Sequence, residues 1–375
     1  AYALIYRSYY AFIKNPRINS KGFNTSAILG FVNTLEEVLK KENPTHIGVA
    51  FDPSGPTFRH EAYEQYKAQR EETPEAIRLS VPIIKDIIRA YRIPILEVSG
   101  YEADDVIGTL ATEAGRQGII TYMMTPDKDY GQLVSDNVFM YRPKHSGGFE
   151  VMGIEEIKNK FNIRSTEQVI DMLGLMGDSS DNIPGCPGVG EKTAQKLVAE
   201  FGSIENLLAH TDQLKGALKT KVEANREMIT FSKFLATIKV DVPIKLDMTT
   251  LVREEPDEEK LRKIFEELEF RTLIDRVLKK SGAPLSSSSN SVSPDLYAGT
   301  LFARPVDSPT PENNGPVQGD LFANFADNGT GNAENSNLTH LEMLDVDYQL
   351  IDTEEKRSEI IQKLLTTEIL SIDTE

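Results

Sequence analysis

Three short apolar runs in the first 130 residues each end on carboxylates, and helix-forming stretches separate them. His46–Phe51 stops at Asp52. Pro94–Val98 leads into Tyr101-Glu102-Ala103-Asp104-Asp105 and a helix expected to reach about Arg116. Ile119–Met124 stops at Thr125-Pro126-Asp127-Lys128-Asp129. Strands alternating with helices predict βαβ units, and so an α/β domain with a parallel sheet over residues 1–165. In such a sheet the functional crevice lies beyond the carboxyl ends of the strands.

A further pair, Asp178 and Asp181, is spaced i,i+3 after a helix expected over 166–177, a spacing that lets both face one way. Any one Asp after a strand is an ordinary turn former or helix N-cap. Here Asp52, Glu102, Asp104, Asp105, Asp127, Asp129, Asp178 and Asp181 are expected to converge without matching Lys or Arg, and would repel one another. Divalent cations are the obvious counter-charge, and oxygen-only ligands favour two Mg²⁺ or Mn²⁺ ions. Such a pair stabilises both the attacking and the leaving oxygen of a phosphodiester displacement and acidifies the nucleophilic water.

The overall charge at first sight opposes a nucleic-acid partner: 41 Lys+Arg against 58 Asp+Glu give −17 over 375 residues. The distribution removes the objection. Residues 281–375 hold 4 basic and 16 acidic side chains, and residues 1–280 hold 37 and 42. Setting aside the eight proposed metal-site acids leaves the first 280 residues slightly positive. No run approaches the ~18 apolar residues of a membrane span. The single cysteine, Cys186, excludes an intramolecular disulfide framework and a Cys-based zinc cluster, so a reducing cytoplasm is expected.

Two segments suit a phosphate backbone. Residues 58–92 interleave Phe58, Arg59, Tyr63, Tyr66, Lys67 and Arg70 with several glutamates, which fits either single-stranded nucleic acid or a solvated helix. Gly185-Cys186-Pro187-Gly188-Val189-Gly190-Glu191-Lys192-Thr193 predicts a tight turn with uncovered amides ahead of a helix running to about Phe201. A glycine turn between helices can be a mere connection, but this helix N-terminus, with Lys192, is expected to form a backbone-built phosphate site. It is not a Walker A loop. Residues 166–280 read as a helical subdomain. Residues 281–340 collapse into Ser, Pro, Asn, Gly and Asp, the composition of a disordered linker.

Together these motifs resemble the 5′-nuclease domains of bacterial DNA polymerases I, relatives of the flap endonucleases. The likeness rests on Tyr6-Arg7-Ser8-Tyr9-Tyr10-Ala11, Ala50-Phe51-Asp52, Thr57-Phe58-Arg59 and Tyr66-Lys67-Ala68-Gln69-Arg70. It continues through Tyr101–Asp105, Asp127–Asp129, Gly177–Gly185 and Pro187–Ala194. The resemblance implies a magnesium-dependent 5′–3′ exonuclease and flap endonuclease of replication and repair, acting on flaps, nicks, 5′ single strands and RNA primers near the bacterial nucleoid. It implies a PIN-like fold in which the eight acids bind metal and residues 58–92 form a helical arch. Tyr66, Lys67, Arg70 and Arg7 would grip the scissile phosphate. Arg59, Gly185, Gly188, Val189, Gly190, Lys192 and Thr193 would contact DNA, the glycine turn acting as a helix–three-turn–helix that also holds a monovalent cation.

The family pattern places a strand ending in Asp just before the segment that matches Ala1. The chain is therefore expected to be a fragment lacking that strand, and the alternative is a structure-specific DNA-binding fragment without catalysis. A metal-dependent phosphatase is a third possibility, but it would need neither the arch nor the glycine turn. Residues 341–375 end on Ile372-Asp373-Thr374-Glu375, which resembles the first Asp-x-Glu motif of a 3′–5′ exonuclease-like domain. Gln318-Gly319-Asp320-Leu321-Phe322 resembles the peptides that bind the bacterial sliding clamp, with Gln318, Leu321 and Phe322 as anchors.

Overall fold

A computed structural model of the protein describes residues 1–144 and 147–278. The chain divides after Leu321, and every described residue lies before that division. The linker, the clamp-like peptide and the segment expected over 341–375 lie outside the described residues.

Helix α1 (Tyr2–Ala11) is followed by α2 (Ser26–Lys41), whose Ile28, Phe31, Val32, Leu35 and Leu39 recur at helical spacing and are all buried. Next come β1 (Val49–Ala50), α3 (Phe58–Ala62), α4 (Glu75–Ala90) and β2 (Ile95–Leu96). Strands β1 and β2 pair in parallel for two residues each. The longer strands expected here are cut short because His46 bridges Val252 instead, and Pro94 has no N–H to extend the ladder. After α5 (Ala103–Arg116) the chain forms β3 (Thr121–Met124), a 3₁₀ turn over Lys128–Leu133, β4 (Val138–Pro143) and β5 (Phe149–Met152).

The parallel sheet expected from the sequence is thus two sheets among the described residues. One is β1-β2; the other runs β3-β4-β5, with β3 parallel and β5 antiparallel to β4. The antiparallel return follows from the turn after Pro143. There the Lys144 amide donates to the Gly148 carbonyl at 2.9 Å, and Gly147 and Gly148 both adopt positive φ.

The remainder is helical, as expected: α6 (Ile154–Phe161), α7 (Gln168–Met176), α8 (Glu191–Phe201), α9 (Ile204–Ala209), α10 (Gly216–Ala224), α11 (Arg226–Ala236), α12 (Met248–Leu251), α13 (Glu258–Glu267) and α14 (Arg271–Leu273). The hydrophobic cores do not respect the expected boundary at 165. One core joins Met123, Val138 and Met140 of the second sheet to Val169, Met172 and Leu173 of α7 and Ile229 and Leu235 of α11. The other joins α2 and α4 to Leu261 and Phe265 of α13, so the end of the helical region returns to the start of the chain. Residues 58–92 are likewise divided. Helix α4 buries Ile77, Ile84, Ile87 and Ile88, and the acids are met by Arg59 of α3 and by Tyr66, Lys67 and Arg70 in the turns between Tyr63 and Pro74. Among the described residues no helix is long and apolar enough to cross a membrane.

Candidate active site

The acids reach one place because α5 and the 3₁₀ turn both start at strand ends. Glu102 caps α5 in a reciprocal box with Asp105, whose carboxylate accepts the Glu102 amide at 3.1 Å. Asp52, at the end of β1, accepts the Ala103 amide of the same first turn at 2.9 Å. Ligand oxygens of Glu102, Asp104 and Asp105 lie within 4.8 Å of one another. Asp127 caps the 3₁₀ turn through the Asp129 amide at 3.0 Å, and Asp178 pairs with Ile183 across the turn after α7.

Tyr66 and Lys67 bridge the two groups. The Tyr66 hydroxyl donates to Glu102 at 2.9 Å and to Asp181 at 3.2 Å. The Lys67 ammonium lies 2.6 Å from Glu102 and 3.6 Å from Asp181. Lys67 is held at φ +56°, a left-handed conformation costing about 1–2 kcal/mol, with its amide donating to the Asp181 carbonyl at 3.0 Å. Arg70 meets Asp181 at 2.6 Å from a partly exposed position, while Lys128 meets Asp178 at 2.8 Å. The spacing of the acids predicts no matching cation among them, and the resemblance puts Lys67 and Arg70 only at the scissile phosphate. The structure supplies four, because Arg59, Lys67 and Arg70 come from a distant segment and Lys128 sits between two expected ligands. Lys128 is the residue that sequence reasoning missed, and its position inside Asp127-Lys128-Asp129 was the available signal.

These cations serve the acids unequally. Burial alone would raise the Glu102 and Asp181 carboxyls, yet Lys67 with Arg59 holds Glu102 low, and Lys67 with Arg70 holds Asp181 low. Asp104 goes the other way, pushed well up by burial and then by Glu102. Burial raises Asp127, against the Asp129 amide and with help from Asp181 and Asp178. Asp129 is pushed well up by burial, Asp127 and Asp178, and its Oδ1 is buried with no hydrogen-bond partner. Burial and like charges therefore outweigh the nearby cations at Asp104, Asp127 and Asp129.

Several expected roles change. Arg59 is not a DNA contact: it is 1% exposed, and its five N–H groups are all used inside the protein. Nη1 and Nη2 clasp Asp105 at 2.8 Å each, Nη1 also meets Glu102 at 3.0 Å, and Nε and Nη2 reach the Leu235 and Thr237 carbonyls. Asp105 also accepts the Lys239 amide at 2.8 Å, so it braces the site as well as standing in the cluster with Glu102 and Asp104. Arg7 donates to the Lys144 carbonyl at 2.7 Å, and no contact joins it to the acids.

In the glycine turn, Gly185 and Val189 are structural. The Gly185 amide donates to Ser232 Oγ at 3.0 Å, and Val189 is buried with its amide on the Cys186 carbonyl at 2.9 Å. Gly188, Gly190 and Lys192 are exposed ahead of α8, and Thr193 is half-buried. At Gly185, φ is +62° and an added Cβ would meet the Gly177 nitrogen at 2.3 Å. Gly185→Ala is therefore expected to cost about 2–3 kcal/mol, read as a lowered urea midpoint at unchanged slope.

Known proteins match most of the described chain. Residues 1–162 match the 5′–3′ exonuclease N-terminal resolvase-like domain, and residues 164–259 match the 5′–3′ exonuclease C-terminal SAM fold. The chain belongs to the 5′–3′ exonuclease family. A 5′–3′ exonuclease of Aquifex aeolicus is 37% identical over 277 residues, covering 74% of this chain and 93% of the relative. DNA polymerase I of Bacillus caldotenax is 42% identical over 273 residues, covering 72% of this chain and 31% of the polymerase. The chain thus spans about a third of the length of the polymerases it matches. The fold is shared with the flap endonuclease of bacteriophage T5, solved with DNA and metal ions, at TM-score 0.52 and 21% identity over 72% of this chain and 97% of that one. This exonuclease fold accounts for the two sheets packed against a helical remainder.

Proposed function

We propose that this chain is the 5′-nuclease part of a bacterial DNA polymerase I, hydrolysing phosphodiesters at 5′ flaps, nicks and RNA primers in the cytoplasm at the nucleoid. The observation that carries this reading is the uneven compensation of the acids. Burial and like charges outweigh the nearby cations at Asp104, Asp127 and Asp129 and disfavour their carboxylate forms, and Asp129 Oδ1 is buried without a partner. An all-oxygen donor set of this kind fits Mg²⁺ or Mn²⁺. Asp104, Asp127 and Asp129, with Asp52 and Asp178 beside them, would hold two such ions. When bound, the ions supply charge neutralisation at the attacking and leaving oxygens.

The chain's own residues do the rest. Burial lowers the Lys67 ammonium, but Asp181 and Glu102 outweigh it and raise it, so Lys67 stays charged opposite an incoming phosphate. Tyr66 keeps its proton and, with Lys67, holds Glu102 and Asp181 in place. Gly188, Gly190 and Lys192 present backbone amides and a charge to the duplex, and the same turn would take the monovalent cation. Gln318, Leu321 and Phe322 would add the sliding clamp as a partner, supported by their sequence alone. The likeness to the DNA polymerase I of Bacillus caldotenax, and the fold shared with the T5 flap endonuclease solved with DNA and metal ions, support the reading.

The test is cleavage of a 5′-flap duplex by the intact protein. Release of the flap with Mg²⁺, its loss in EDTA and its return with Mn²⁺ are expected. Cleavage that survives EDTA, or turnover of a small phosphoester without affinity for DNA, would overturn the proposal.

A further inference from the structure

Beside the acids lies an aromatic face that the proposed chemistry does not use. On α11, Phe231 and Phe234 lie nearly parallel, with centroids 6.1 Å apart and planes 19° apart. Phe234 is 43% exposed, and Met228 on the same helix is also exposed. With Arg226, Glu227 and Thr230 the two rings line an open groove of about 430 Å³. Both rings are buttressed from the segment that carries Tyr66 and Lys67. Tyr63 sets its edge against Phe231 at 5.5 Å, and Phe58 sets its edge against Phe234 at 6.0 Å. Phe58 itself is unavailable, since the Arg59 guanidinium and the Lys239 ammonium both approach its ring.

An exposed Phe234 beside a half-buried Phe231 leaves apolar surface in water that costs free energy unless something covers it. We propose that this face is a stacking platform for unpaired bases of the single-stranded 5′ arm of the DNA substrate. The inference rests on the nuclease reading above and extends it to where the arm lies. Near-parallel rings suit successive bases, whose faces stack on aromatics without regard to sequence. Arg226, bonded through Nη2 to Thr211 Oγ1 at 2.9 Å, lines the groove and keeps a positive charge beside it for the phosphates. Glu227 provides an acceptor for base amino groups. The platform is continuous with the acids through a single turn of chain, the Tyr66 amide donating to the Tyr63 carbonyl at 2.9 Å.

The experiment measures binding of the intact protein, in Ca²⁺, to three fluorescent duplexes: one with a thymidine flap, one with an abasic flap of equal length, and one nicked without a flap. The expected preference for the thymidine flap over the abasic one is about tenfold. Phe234→Ala should remove that preference, Phe234→Trp should keep it, and neither should change affinity for the nicked duplex. A preference that survives Phe234→Ala, or a loss equal on all three DNAs, would overturn the platform. An apolar protein partner for the face would give the first of these results. If the wild-type protein neither binds nor cleaves flap DNA, the nuclease reading falls as well. If it cleaves flaps but Phe234→Ala leaves the preference intact, only the platform falls.

Discussion

Asp129→Asn is expected to lower flap cleavage in Mg²⁺ by about 10³-fold, equivalent to about 4 kcal/mol of barrier. The same change should leave the metal-free protein as stable as before, or slightly more so. Burial and the charges of Asp127 and Asp178 already disfavour the Asp129 carboxylate, and its Oδ1 has no partner to lose. A carboxylate kept for the fold would behave oppositely, because its removal would strand a donor. The added stability that a bound cation gives the native state should also shrink in the variant. Denaturant midpoints with and without Mg²⁺, measured beside the cleavage rate, separate the two roles.

Arg59→Met is expected to act on stability, lowering it by about 3–5 kcal/mol. Glu102 and Asp105 would keep their burial and lose the guanidinium that offsets it, while the Leu235 and Thr237 carbonyls would lose their donor. Arg59→Lys should recover little of this. One ammonium cannot reproduce a planar fork that meets two carboxylates and two carbonyls at once. Urea unfolding decides the matter. An exposed DNA contact at this position would give a stability change within about 0.5 kcal/mol and a loss confined to DNA affinity.

How far the sequence reaches can be judged from these two residues. Asp129 was legible because a strand end followed by Asp-x-Asp is a local pattern, and the structure keeps it at the start of a 3₁₀ turn. Helices α5 and α8 were legible for similar reasons, the first from its acidic cap and the second from the glycines before it. Arg59 was misread because its partners are remote: Asp105 is 46 residues away and the Leu235 carbonyl 176. The likeness of an Arg beside aromatics to a nucleic-acid contact carries no information about burial. Val189 was misread in the same way, since a glycine-rich turn advertises free amides while its one large side chain is buried.

The sheet shows the limit for backbone. Strand β4 carries Val138, Phe139, Met140 and Tyr141, a β-favouring run, but it lies outside the acid-terminated pattern that organised the sequence reading. The division of the cores was also invisible. Leu261 and Phe265 of α13 fall within the residues read as a helical subdomain, and only folding shows that they pack with α2 and α4. The same distance effect brought Arg59, Lys67 and Arg70 to the acids.

The most direct measurement of the central claim is an anomalous difference map from crystals of the intact protein soaked in Mn²⁺. The account predicts peaks against Asp104, Asp127 and Asp129, with the peak at Asp129 weakened in Asp129→Asn. Crystals that bind Mn²⁺ only at Glu102 and Asp105, or nowhere among the eight acids, would contradict it.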